Sequence, residues 1–320
     1  MENLKTEITS GFEIIPKNIL KSKYSYICKT SEGTKVIQKI NATEKEILDS
    51  HNIKEALKKN GYPIYDRFYI STQGVPFFEF DGEKYVMMDF KDFKDSDFSD
   101  GKDVISTIKA TALFHKCSKK LNYEVEKNFD VLNLYNKQLA KFKLIKKNIS
   151  AKSNFSEFDF IFIKNYDYFY EKAINSINKL EEIIGKEKNN GSLFTLCHNN
   201  IKEETAVKPK NGITSLICFE NISKGLFISD FSDVINRYLR KYTPPVLNFE
   251  TILENYFKIN HLSDKDVKVL QAMLEFPAKY IKTCCDFYSK GLPFVPNSVV
   301  NHLKSIIIKK NIYENYTKSI

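Results

Sequence analysis

Residues 24–30 alternate apolar and polar side chains, Ser31-Glu32-Gly33 turns, and residues 34–40 run back, which predicts a β-hairpin. A helix is expected next. Thr43 stands as its N-cap, and Glu46 three residues later completes a capping box. It should reach about Lys59, where Asn60-Gly61 and then Pro63 end it. Two more strands are expected at 67–72 and 83–90, with turns at Gln73-Gly74 and Asp81-Gly82. Beyond about Phe93 the period changes from two to 3.6. Residues 103–119 put Val104, Ile108, Ala112 and His115 on one face, and 132–147 and 158–184 are long amphipathic segments. A β-type island at 194–222, turning at Lys210-Asn211-Gly212, interrupts the helices. Helices at 233–241, 249–259, 265–274 and 278–288 follow, with Thr243-Pro244-Pro245 as a break. The fold class expected is α+β, a single two-lobed domain. Its small N-lobe, residues 1–90, is a sheet plus one helix, and its larger C-lobe, 91–320, is mainly helical.

Composition narrows the function classes. With 42% hydrophobic and 28% charged residues over 320 positions, the chain is globular and can bury a substantial core. The net charge of +9 comes almost wholly from lysine, since Arg67, Arg237 and Arg240 are the only arginines. Base-edge recognition favours the planar guanidinium, so nucleic acid is not an expected partner. Apolar runs such as Ser305 to Ile308 are far too short to span a bilayer, so no membrane insertion is expected. Met1 to Thr9 has no apolar centre of the kind a signal peptide needs, so synthesis in the cytoplasm is expected. The six cysteines show no metal-ligand spacing, and reduced buried thiols are expected.

Chemistry concentrates in two short stretches. The first runs Cys197-His198-Asn199-Asn200 to Thr205, and the second is Ile217-Cys218-Phe219-Glu220. Ser229-Asp230-Phe231 leads on into Ile235 to Lys241, and Leu274-Glu275-Phe276-Pro277-Ala278-Lys279-Tyr280 lies further along. In this order and spacing, together with the helical stretch at Phe155 to Asp159, they resemble the aminoglycoside-phosphotransferase/choline-kinase-like superfamily. Within it, the chain is similar to the spore-coat protein S (CotS) family. The resemblance covers nearly the whole chain and implies a two-lobed, protein-kinase-like fold. It also implies synthesis in the mother cell, deposition on the spore coat, and other coat proteins as partners.

Kinase-like enzymes carry His-x-Asp-x-x-x-x-Asn on the catalytic loop and a metal-binding Asp on a hydrophobic strand about a dozen residues later. On that pattern His198 fits, but Asn200 holds the base position, Thr205 the amide position and Cys218 the metal-binding position. An amide has almost no basicity near neutral pH, and a neutral thiol is a poor ligand for a hard cation. Glu220, or failing that Glu203 and Glu204, could restore a metal ligand. Lys39, on the second hairpin strand, falls where the resemblance puts a phosphate-binding lysine. The usual partner carboxylate is replaced by Ser50, with Glu46 or Glu55 as substitutes. The phosphate-covering loop, Leu20 to Tyr24, has no glycine to allow close backbone approach. His198 and Asp230 are read as holding the loop's geometry. The expectation is a catalytically inactive, kinase-like coat protein with a structural or scaffold role and no cofactor. The alternative is an atypical small-molecule phosphotransferase or nucleotide-sensing pseudokinase that uses ATP and Mg²⁺.

Overall fold

The computed structural model describes residues 2–22, 25–121, 125, 127–185, 193–241, 247–291 and 294–318. The expected break at Thr243, Pro244 and Pro245 lies outside them, as do Lys23 and Tyr24 of the expected phosphate-covering loop.

The N-terminal part holds two helices, α1 (Glu2–Ser10) and α2 (Glu44–Lys59), and five strands: β1 (Asn18–Lys21), β2 (Ser25–Thr30), β3 (Gly33–Ile40), β4 (Phe78–Phe80) and β5 (Glu83–Asp89). The strands form an antiparallel sheet in the order β1-β2-β3-β5-β4. Strand alternation divides its residues between two small cores. Cys28, Ile37, Tyr85 and Met87 pack with Ile8 of α1 and Phe12 on one face, while Val86 joins Ile47 of α2, Phe68 and Phe77 on the other. The strand expected at 67–72 is absent. Tyr69 N–H donates to Met87 O, but Ser71 then folds back onto Val75, so the strand paired with β5 forms later, across Asp81-Gly82. Leu20 and Lys21, expected in a loop, belong to β1.

The remainder carries α3 (Gly101–Ser118), α4 (Val131–Ser150), α5 (Glu157–Ile184), α6 (Ile228–Lys241), α7 (Phe249–Phe257), α8 (Asp264–Glu275), α9 (Ala278–Ser289), α10 (Asn297–Ile308) and α11 (Lys310–Lys318). Six short strands make two three-stranded sheets. β6 (Phe93–Asp95), β9 (Ala206–Pro209) and β10 (Ser215–Leu216) form one, in the order β10-β9-β6. β7 (Asn128–Phe129), β8 (Phe194–Cys197) and β11 (Ser223–Leu226) form the other, in the order β7-β11-β8. One large core unites the helices with these sheets and takes in Ile53 and Leu57 of α2. α6 begins five residues earlier than the sequence pattern suggests, and α1, α10 and α11 were not anticipated. Among the described residues, no helix is long and apolar enough to cross a membrane.

The segment after α2 is laced to the β10 region. Tyr62 Oη accepts from Leu216 N–H (2.8 Å), Ser215 Oγ donates to Pro63 O (2.5 Å), and Asp66 Oδ2 accepts from Cys218 N–H (2.9 Å). The same Asp66 oxygen lies 2.9 Å from Lys54 Nζ, a lysine whose side chain is fully buried and sits over the Phe68 ring. Removing one member of a buried pair strands the other charge. Lys54→Ala is therefore expected to destabilise the fold by about 3–5 kcal/mol. Lys54→Met/Asp66→Asn should recover most of that, read by urea unfolding.

At the other end of α2 the capping box forms as expected, and Glu46 also takes Lys127 Nζ at 2.6 Å. These contacts, Lys127 first and Thr43 next, lower the Glu46 carboxyl to about 2. A depressed carboxylate contributes stability above its unfolded pKa and loses it as pH falls through the folded one. The stability advantage over Glu46→Gln, which keeps the box, should be full above pH 4.5 and vanish as pH approaches about 2. Unfolding midpoints measured across that range check this.

Candidate functional site

Asp230, in the first turn of α6, is buried and organises the loop that follows β8. Its Oδ2 accepts from His198 N–H (2.6 Å) and its Oδ1 from Asn199 N–H (2.8 Å). His115 Nε2 approaches Oδ2 at 3.2 Å, and His115 Nδ1 lies 2.7 Å from Tyr256 Oη. Asn260 Nδ2–H in turn donates to Tyr256 Oη (3.0 Å). Burial lowers the His115 pKa, so the ring is neutral. One set of proton positions satisfies the chain: Asn260 donates to Tyr256, Tyr256 to His115 Nδ1, and His115 Nε2–H to Asp230.

The rest of the loop is tied as firmly. Asn199 holds a left-handed φ of 57°, a conformation Asn tolerates better than most residues. Its side-chain Nδ2 reaches across to Asn221 O (2.9 Å) and Ser223 Oγ (2.8 Å). His198 sits edge-on to Phe114 and Phe219, and its Nε2 lies 2.9 Å from Ile217 O. Burial lowers its pKa as well, which leaves a neutral ring with Nε2 as donor. Thr205 is buried with its hydroxyl turned inward. It donates to Asn200 O (2.6 Å) and accepts from Lys202 N–H (2.9 Å). The Asn200 side chain is half-buried and takes no part in this bonding.

Cys218 also adopts a left-handed conformation, with φ 66°, and its N–H is held by Asp66. Burial first, then the negative charges of Glu220 and Asp66, push its thiol up to about 12. Cys218 thus presents a neutral thiol at physiological pH. Glu220 lies exposed in the turn after it and lines a cavity of about 200 Å³ with Glu46, Asp49 and Ser50 of α2. Ser50 Oγ is buried there without a hydrogen-bond partner. Glu203 is committed elsewhere, accepting from Phe98 N–H (3.0 Å) and pairing with Lys241 (3.2 Å). Glu204 is exposed, 3.9 Å from Lys202. Among the described residues, no three His, Cys, Asp or Glu side chains come together as a metal cluster.

The expected role of Lys39 is corrected. Its Nζ pairs with Glu83 at 2.8 Å, and both side chains are about half exposed. In the register Lys39 lies opposite Tyr85, on the α1 face. Gln38, opposite Val86, shares the α2 face instead. One residue of strand register reverses the side a chain presents. Neither proposed partner is available, because Glu46 takes Lys127 and Glu55 takes Arg67. Lys54 and Asp66 were missed, since one lysine on a lysine-rich helix carries no sign that it will be buried.

An N-terminal sheet with one crossing helix, a loop anchored by the carboxylate of α6, and a helical remainder define a protein-kinase-like fold of the aminoglycoside phosphotransferase type. The chain belongs to the family described as "Spore coat putative kinase YutH", whose model matches residues 5–320. Among solved structures, it is similar to an aminoglycoside phosphotransferase from Alicyclobacillus acidocaldarius subsp. acidocaldarius DSM 446 at 13% identity, covering 98% of this chain and 94% of that one, with a TM-score of 0.85. It is also similar to spectinomycin phosphotransferase APH(9)-Ia in complex with ADP and spectinomycin (12% identity, 100% and 98% covered, TM-score 0.62). A microcompartment-associated aminopropanol kinase matches comparably (10% identity, 100% and 98% covered, TM-score 0.62). At these identities the likeness is one of fold. No curated protein matches the sequence.

Asp230→Ala should orphan the buried N–H groups of His198 and Asn199, at about 1–3 kcal/mol each. Urea unfolding should show the total loss, and hydrogen exchange should show these two amides opening first.

Proposed function

We propose that this spore-coat family member is a catalytically inactive kinase-like protein with a structural or scaffold role in the coat. The observation that carries the reading is the state of the two positions where a kinase grips Mg²⁺. Thr205 spends its hydroxyl on Asn200 O, and Cys218 presents a neutral thiol. Neither supplies the anionic oxygen that a hard divalent cation favours. The base position adds to this. Asn200 cannot accept a proton from an acceptor hydroxyl, which forfeits a factor of ~10²–10⁴ in rate. What remains of the loop is its architecture, held by Asp230 and His198, and that suits a folded surface for assembly with other coat proteins.

One observation favours a second reading. Glu46, Asp49 and Glu220 all line the cavity beside α2, next to Cys218, and the exposed Glu220 side chain can turn toward a ligand. An atypical phosphotransferase or a nucleotide-sensing pseudokinase would use that acid to hold Mg²⁺ with ATP.

Thermal unfolding with ATP and Mg²⁺ separates the readings, because a ligand that binds only the native state raises stability by RT ln(1 + [L]/Kd). No Mg²⁺-dependent shift is expected, and no phosphate should transfer to small hydroxylated or amino acceptors. A strong shift without product would instead support nucleotide sensing. Product that disappears in Glu220→Gln would establish the phosphotransferase.

A further inference from the structure

A second cavity, of about 180 Å³, opens among α5, α6, α8, α9, α10 and α11. No residue of the 197–205 loop or of 217–220 lines it, so it is distinct from the site described above. Phe169, Phe276, Pro277 and Ile306 give it an apolar and aromatic side. Asp233 and Arg240 of α6 and Lys279 of α9 give it a charged one.

These three charged side chains are set apart because, among the described residues, none closes a direct bond with an opposite charge. The other lysines and glutamates around the cavity are engaged: Lys172 with Glu314 (3.1 Å), Glu275 with Lys179 (2.7 Å), Lys309 with the Arg240 carbonyl, and Lys310 over the Tyr168 ring (4.9 Å). Asp233, Arg240 and Lys279 make no side-chain hydrogen bond or ion pair among the described residues. Solvent reaches Asp233, yet the protein around it is dense enough that burial raises its pKa. Burial and the neighbouring Arg237 lower that of Arg240. Burial, then Arg240 and Lys282, lower that of Lys279. Asp233 beside Arg240 and Asp286 beside Lys279 act in the opposite sense, but neither closes an ion pair with these cations among the described residues. Asp233 is a single carboxylate among Arg237, Arg240 and Lys279, so the charged side keeps an excess of positive charge.

A free inorganic anion would leave the apolar side and Asp233 unused. We propose that this cavity binds a small organic acid. Its carboxylate or phosphate monoester would sit on Arg240 and Lys279, its flat apolar body would lie along Pro277 and Ile306, and a hydroxyl or amine of the same ligand would donate to Asp233. The arginine fork suits either anionic head. The inference does not depend on whether the protein transfers phosphate.

Calorimetric titration of the full chain with benzoate, 3-hydroxybenzoate, phenyl phosphate, inorganic phosphate and benzylamine tests it. Saturable binding of 3-hydroxybenzoate or phenyl phosphate is expected, with inorganic phosphate and benzylamine weaker by about tenfold or more. The tighter of the two acids tells a carboxylate source from a phosphate one. Lys279→Gln and Arg240→Gln should each weaken the bound acid by about tenfold or more, and Asp233→Asn should erase the preference for 3-hydroxybenzoate over benzoate. Lys279 is half-buried and unpaired, so its variant keeps the fold and decides the matter even if Arg240→Gln does not fold. No saturable binding by any acid, tighter binding of benzylamine, or unchanged binding in Lys279→Gln would overturn the proposal.

Discussion

A single carboxylate sets the geometry on which the centre of this molecule depends. Asp230 receives two consecutive backbone N–H groups from the loop after β8 and a neutral imidazole from α3. Through His115 and Tyr256 the same contact reaches Asn260, beyond α7. Four separate parts of the chain are thereby fixed relative to one another by bonds that are buried or partly buried. Inside a protein such bonds are strong, and leaving one unmade is costly. The arrangement holds the loop's shape whether or not any residue on it performs chemistry.

That separation leaves the shape of the loop independent of most of its side chains. The backbone bonds to Asp230 ask nothing of the side chains at 200, 205 and 218. Thr205 has been drawn into the loop's own bonding, where its hydroxyl closes onto Asn200 O. Cys218 adopts a left-handed backbone and gives its N–H to Asp66, so backbone bonding fixes the turn and asks nothing of the thiol. Asp66 is in turn matched to Lys54, which puts the main buried ion pair of this region behind the cleft and away from β3.

Much of the fold was legible in the chain, for identifiable reasons. The capping box at Thr43 and Glu46 is a local device, and it forms as the spacing required. The long periods of α3, α4 and α5 exceed any plausible strand, and the two-residue turn at Asp81-Gly82 marked β5. The failures share a cause in tertiary context. Residues 67–72 are as apolar as a strand, but Ser71 caps a turn on Val75 that no pattern announces. α11 is a largely polar segment whose packing depends on Tyr313 and Tyr316 meeting surfaces built far earlier in the chain. Lys39 was placed on the correct strand but the wrong face. A motif written in residue types fixes parity only when the register is known. The bonds that occupy Thr205 and the Cys218 N–H could not be read from the spacing of residue types.

The lacing between residues 62–66 and 213–218 bears on how the two halves can move. Tyr65 Oη adds a further bond, to Ile213 O, so the back of the cleft is closed by four hydrogen bonds spread over a few residues. Rocking of the sheet against the helices must pivot about that line, and α2 would swing by its free end. The restraint there is Lys127 with Glu46, a solvent-facing pair that dissolved salt weakens. Added salt therefore loosens the contact at the N-terminal end of α2 and leaves the hydrogen bonds beyond its other end in place, so that the helix is pinned unevenly along its length.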